Sequence, residues 1–292
     1  TGATMTTTAV KVRAVPLTQH IGAEIQGVDL STPLDPATAA ELKRLWLQYV
    51  VILFRDQHLS QADQLRVTGY FGTPGKVSRP KEFRPSGYAN LLEGIMLISN
   101  IRENGEPIGA LPDGEMMFHH DMIHHEVPDK GTFLYAVEIP STGGHTLFAN
   151  GYTAYETMPR ELRERLEGRR AFHHYNYGTV MRGDPNKQGV AAFAEQTHPV
   201  FRTHDETGRK AVYVNRLMTE YVEGLPREES DRLLAQVFDH SENPQWVYEH
   251  VWRPGDLLLW DNRCSMHART DFPAGERRLL LRTTIKGDTR PV

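Results

Sequence analysis

The run Trp246-Val247-Tyr248-Glu249-His250-Val251-Trp252, the turn Arg253-Pro254-Gly255-Asp256 and the run Leu257-Leu258-Leu259-Trp260 read as strand, turn, strand. Both runs are short and apolar or aromatic, and Pro-Gly between them is turn chemistry, so the stretch predicts a β-hairpin. Similar runs recur outward from it. Residues 96–101, 132–138, 146–149, 211–215 and 279–285 are short and rich in apolar side chains. Turn signals such as Asn104-Gly105, Pro112-Asp113-Gly114 and Pro140-Ser141-Thr142-Gly143-Gly144 separate several of them. Helices stand at the front and as insertions. Asp35 followed by Pro36 marks a helix start, with Leu42, Leu45, Trp46 and Tyr49 at helical spacing. A buried strand is expected at 50–54. Ser60 opens a second helix, with Leu65 and Tyr70 as apolar positions, and Gly72-Thr73-Pro74-Gly75 ends it. Residues 152–167, broken near Pro159, and 226–240, with Leu233, Leu234, Val237 and Phe238 in register, are further helices. The pattern predicts a mainly β fold with α cover, a barrel or sandwich carrying N-terminal and inserted helices.

Composition narrows the function. The 292 residues carry a net charge of −4, and no cluster of Lys or Arg reverses it, so nucleic acid is not an expected partner. The single cysteine, Cys264, can form neither an internal disulfide nor a thiolate metal cage, and this fits a reducing cytoplasm. No apolar stretch approaches the roughly 18 residues of a membrane span. Residues 1–9 are Thr-rich and lack the charged-then-apolar order of a secretory signal. They are expected to be a flexible N-terminus to a single domain over 10–292. The expected partners are a small-molecule substrate and other copies of the chain, as a dimer or tetramer.

The sharpest chemistry lies in Phe118-His119-His120-Asp121. On an extended strand, side chains at i and i+2 share a face, so His119 and Asp121 converge while His120 points away. Two histidines and one carboxylate leave three metal positions open, the arrangement of non-haem Fe(II) oxygenases. His267, soon after the apolar run at 257–260, is the candidate third ligand. A His-x-Asp pair by itself is more often without metal than with it. His124 and His125 are either pocket-lining loop residues or ordinary surface or core histidines. Arg278 and Arg282, four residues apart on an expected strand, share one face and offer guanidinium forks for carboxylates.

At this point the chain resembles the taurine/2,4-dichlorophenoxyacetate dioxygenase family of Fe(II)/2-oxoglutarate-dependent oxygenases. The resemblance rests on Gly22 to Leu30, Phe54-Arg55-Asp56-Gln57, Phe71-Gly72, His119-His120-Asp121, Gly143-Gly144-His145-Thr146-Leu147-Phe148, Ala154-Tyr155-Glu156, Trp252 to Asp256 and Trp260 to His267. It implies a double-stranded β-helix, or jelly roll, with iron held by His119, Asp121 and His267. It implies that Thr146 and Arg278 bind the co-substrate 2-oxoglutarate, and that O2 is the oxidant. The implied reaction gives succinate and CO2 while an unactivated C–H bond is oxidised, most simply hydroxylated. Arg282 is implied to reach an anionic group of the substrate, the bland alternative being a salt bridge in the strand wall. The positions that hold sulfonate in the taurine enzyme fall near Val77 and Glu115, and neither side chain can replace that function, so taurine itself is not the expected substrate. A metal-dependent hydrolase using Zn2+ and a non-catalytic ligand-binding barrel are the competing classes. The co-substrate pair Thr146 and Arg278 argues against the first, and the intact triad against the second. A halogenase is disfavoured because halide would need the position of Asp121.

Overall fold

The computed structural model describes residues 11–77, 81–84, 86–88, 90–109, 116–175 and 195–292. The expected flexible N-terminus at 1–9 therefore lies outside the described residues. Helix α1 (Pro36–Tyr49) starts as the sequence requires. Asp35 accepts a hydrogen bond from the Thr38 amide, Pro36 occupies the first turn, and Leu42, Leu45 and Trp46 are buried. Helix α2 (Gln61–Gly69) opens on a capping box between Ser60 and Asp63.

Seven strands form the major sheet, in the order Arg13–Pro16, Ala23–Gln26, Val51–Phe54, Leu257–Asp261, Gly131–Glu138, Leu279–Ile285 and Met96–Ser99. All pairings are antiparallel except that of Ala23–Gln26 with Val51–Phe54. A four-stranded minor sheet runs Val247–His250, Thr146–Asn150, Ser265–Arg269 and Met116–His119. Alternation along the major strands sorts the core into two layers, as a period of two demands. Ile52, Phe54, Phe133, Tyr135, Leu257, Leu259, Leu279 and Leu281 share one cluster with Leu42, Leu45 and Trp46 of α1. Their neighbours Val51, Leu53, Leu134, Ala136, Leu258, Trp260 and Leu280 share another with Phe148 of the minor sheet. The first layer is the α cover and the second is the jelly-roll interior. The mainly β fold with helical cover is thus present.

Residues between the minor strands Thr146–Asn150 and Val247–His250 form an insertion with its own core. Helices α3 (Gly151–Thr157) and α4 (Arg160–Leu166) flank Pro159, where the helix was expected to break. Helix α5 (Arg227–Ser241) buries Leu233, Leu234, Val237 and Phe238. A three-stranded sheet, Glu195–Pro199, Arg170–His174 and Thr219–Val222, completes it with the pair Phe201–Thr203 and Lys210–Val212. The strand expected at 211–215 is the second member of that pair, shifted to Lys210–Val212.

The hairpin expected around Arg253 to Asp256 does not form. Val247–His250 pairs with Thr146–Asn150 in the minor sheet, whereas Leu257–Asp261 pairs with Val51–Phe54 and Gly131–Glu138 in the major one. The turn is a corner between sheets, and its bonds explain why. The Gly255 amide donates to Ala136 (2.9 Å), and the Asp256 carbonyl accepts from the Ala136 amide (2.9 Å). The Asp256 carboxylate meanwhile accepts from Arg55, His250 and the Arg253 amide. Val50, expected to begin a strand, instead caps α1 at φ 69°. Among the described residues no helix is long and apolar enough to cross a membrane.

Candidate metal centre and carboxylate pocket

His119 closes the minor strand Met116–His119 and lies directly opposite His267 on the neighbouring strand Ser265–Arg269. His267 follows the apolar strand Leu257–Asp261 in sequence but is not part of it. It belongs to the following strand, in the other sheet, between Thr146–Asn150 and Met116–His119. Asp121 lies two residues past its strand, in a turn rather than on extended chain, and Met122 follows at φ 59°. The convergence survives that change. Asp121 Oδ1 is 3.4 Å from His119 Nε2 and 3.5 Å from His267 Nε2. His120 points away, with Asn215 donating to its Nδ1 at 3.1 Å and Tyr213 against its ring.

The donor set fits a divalent metal. His119 Nδ1 lies 2.9 Å from the Met117 carbonyl, which can only accept, so Nδ1 carries a proton and Nε2 is the nitrogen turned toward Asp121. Burial, despite the nearby Asp121, pulls the His267 pKa down to about 3, so this imidazole is neutral near pH 7. Burial opposes ionisation of Asp121, but His267, Arg282 and His119 together hold its carboxyl well below the usual carboxylate range. Two imidazoles and one carboxylate, with ligand atoms within 4.8 Å of one another, are what such an ion requires.

A second group with similar spacing, His204, Asp261 and Cys264, is satisfied internally. The amides of Glu206 and Thr207 donate to His204 Nδ1, so His204 Nε2 carries the proton and donates to Asp261 at 2.8 Å. Arg263 takes both Asp261 oxygens, and burial pushes the Cys264 thiol up, so the thiol stays protonated. This is a buried ion network in which His204 and both Asp261 oxygens are already bonded.

Arg278, immediately before the strand Leu279–Ile285, is 1% exposed. Among the described residues its side chain hydrogen-bonds only the Gly144 carbonyl, at 3.3 Å, and its buried Nε has no partner. Burial, then Arg269, pulls its pKa down to about 9, so it remains a cation without a carboxylate among the described residues. The Gly-Gly turn borders it, a Cβ on Gly144 meeting Arg278 Nε at 3.3 Å. A Cβ on Gly143 would meet the Asp271 carbonyl oxygen at 2.3 Å, and both glycines have positive φ, at 68° and 66°. Thr146 follows, 4% exposed, its Oγ1 accepting from Trp252 Nε1 at 2.9 Å. That bond leaves the Thr146 hydroxyl proton free to donate outward.

Arg282 donates to Asp121 Oδ2 at 3.2 Å, while its buried Nε has no partner among the described residues. Among the described residues its acid partner is Asp121. Asp129 is a further acid near Arg282, and burial raises its pKa to about 6. His124 stacks on Tyr175 at 4.9 Å, with burial and then His125 bringing its pKa to about 4. Val77 is 60% exposed, and Glu115 lies outside the described residues. Residue patterns did not reveal the bonding roles of Trp252 and Asn262. Both stand in quoted motifs, Trp252 to Asp256 and Trp260 to His267, but spacing does not say what a side chain bonds.

The chain is similar to known proteins in sequence and in fold. Residues 13–284 match the family model described as "Taurine catabolism dioxygenase TauD, TfdA family". The chain is 31% identical to an (S)-phenoxypropionate/alpha-ketoglutarate-dioxygenase of Sphingobium herbicidovorans, over 94% of each chain. It is 32% identical to an alpha-ketoglutarate-dependent 2,4-dichlorophenoxyacetate dioxygenase of Cupriavidus pinatubonensis, over 95% of this chain and 98% of the other. A solved structure of AAD-2 in complex with Mn(II) and N-oxalylglycine superposes with a TM-score of 0.77 at 26% identity, covering 97% of this chain and 100% of that one. With the jelly roll in place, the match shows that the chain belongs to the taurine catabolism dioxygenase TauD, TfdA family and is an enzyme of the 2-oxoglutarate-dependent dioxygenase class.

Proposed function

We propose that the chain is a non-haem Fe(II) enzyme that hydroxylates an unactivated C–H bond of a small organic anion at the expense of 2-oxoglutarate and O2. The observation that carries the co-substrate is Arg278: a guanidinium 1% exposed with no protein carboxylate among the described residues. A buried cation without an anion is costly, and a dicarboxylate supplies one. Thr146 donates its hydroxyl proton to the same carboxylate, and Trp252 holds that hydroxyl in place. Iron, when bound, supplies the activation of O2 that couples loss of CO2 from the co-substrate to substrate oxidation. The chain's part is geometry: His119, Asp121 and His267 would hold the ion, leaving coordination positions for co-substrate and O2.

The relatives' names point to aryloxy acids, and Arg282 supports an anionic substrate here. Asp121 engages its Nη2, but the buried Nε is unbonded among the described residues. That unused donor is proposed to meet the substrate's charge, with His124 on Tyr175 lining the pocket. A matched series of aryloxy acids, amides and amines, scored by succinate release, tests the reading. Acids should turn over best, and Arg282→Lys should shrink their advantage. Amides that match acids in both proteins would exclude an anionic substrate.

A further inference from the structure

His119 and His267 are fixed by strand pairing, but Asp121 has no ladder to hold it. It sits in a turn, and Met122 beside it occupies the left-handed region at φ 59°, which favours glycine. Asn262 supplies the missing frame. Its Oδ1 accepts from the Asp121 amide at 2.9 Å, and its Nδ2 donates to the Asp121 carbonyl at 2.8 Å and to the Asp129 carbonyl at 3.0 Å. One side-chain amide thus pairs with both backbone groups of the carboxylate ligand, as a neighbouring strand would.

Asn262 is itself fully buried and held on both sides. Its amide donates to the Lys130 carbonyl at 2.9 Å. Asp261 before it is bound by Arg263 and His204. Arg263 after it reaches Glu206 at 2.7 Å, and Glu206 reaches Lys43 of α1 at 3.0 Å. The buried ion network, unused by the chemistry, is therefore the anchor of the amide. Arg282 meanwhile bonds Oδ2 and leaves Oδ1 to the histidines.

We propose that Asn262 is the positioning residue for the metal-binding carboxylate, its amide replacing a strand partner for Asp121. The proposal rests on Asp121 being a metal ligand, and the test separates the two. Metal-free protein is titrated with Co(II), followed by absorbance, well below its melting temperature. Partners outside the ligand set usually govern metal affinity by about 10–100-fold, and that loss is expected for Asn262→Ala. Asn262→Asp keeps the acceptor for the Asp121 amide but loses both donors, and should weaken binding likewise. It carries the test if the alanine variant does not fold. Val237→Ala, in the insertion core, lowers the melting temperature but should leave Co(II) affinity unchanged. In an Asp121→Ala background, Asn262→Ala should add no further loss. Wild-type affinity in both Asn262 variants would overturn the proposal, as would an undiminished loss in the Asp121→Ala background. Wild-type affinity in Asp121→Ala alone would instead overturn the ligand assignment.

Discussion

At the scale of single residues, the site divides by what each side chain can bond. The triad should fail member by member. His119→Ala, Asp121→Ala and His267→Ala are each expected to lose iron on metal analysis and to abolish turnover while remaining folded. Full iron content in any one of them would remove it from the ligand set. Arg278→Ala should raise the KM for 2-oxoglutarate by the equivalent of about 2–5 kcal/mol, since it leaves a desolvated carboxylate unpaired. Thr146→Ala should cost less, about 1.5–3 kcal/mol, the worth of a hydrogen bond to a charged group. If Arg282→Ala weakens 2-oxoglutarate binding and Arg278→Ala does not, the two arginines exchange roles. The convergence of His119, Asp121 and His267 was legible in the His-x-Asp spacing together with the family resemblance, and the resemblance also pointed to Arg278, eleven positions past His267. Bonds between distant motifs were not legible. Asn262 lies 141 positions from Asp121, and Trp252 lies 106 from Thr146.

At the scale of elements, local signals held wherever local forces decide. The caps at Asp35 and Ser60 and the break at Pro159 formed as read. The turn at Arg253 to Asp256 misled because a hairpin and a corner share the same Pro-Gly chemistry. Tertiary bonds from Ala136, Arg55 and His250 choose the corner. The insertion strands Arg170–His174 and Glu195–Pro199 escaped notice because histidine, threonine and glutamine give no apolar alternation. The Gly143-Gly144 turn gives an element-level test. Gly143→Ala imposes roughly 1–2 kcal/mol of left-handed strain and drives its Cβ onto the Asp271 carbonyl. Melting temperature and 2-oxoglutarate affinity should fall together, because the turn carries Thr146 and borders Arg278. A fall in stability with unchanged co-substrate affinity would detach the turn from the pocket.

At the scale of the whole molecule, buried histidines set the response to acid. Burial, then a backbone hydrogen bond working against it, leaves His198 with a pKa of about 4, and His124 has a similar value. His120 and His173 are lowered as well, chiefly by burial. The unfolded chain would bind protons at these sites near pH 6.5, before the folded one does. Stability therefore rises with pH across that window and is lost as pH falls from about 6.5 toward 4. Asp129, raised to about 6, opposes this with a single proton. Calorimetry should show the melting temperature falling from pH 7 to pH 5, with a shallower slope in His198→Gln. A flat profile would mean that these imidazoles are not held neutral.

The assembled molecule is an oxygenase only if metal, co-substrate and O2 act through one site. Succinate formed from 2-oxoglutarate under O2, with Fe(II) or Zn(II) as the added metal, tests this directly. Fe(II) should support succinate release that disappears in His267→Ala and collapses in Arg278→Ala, whereas Zn(II) should support none. Equal turnover with Zn(II), or succinate release untouched by either substitution, would contradict an iron oxygenase built on His119, Asp121 and His267.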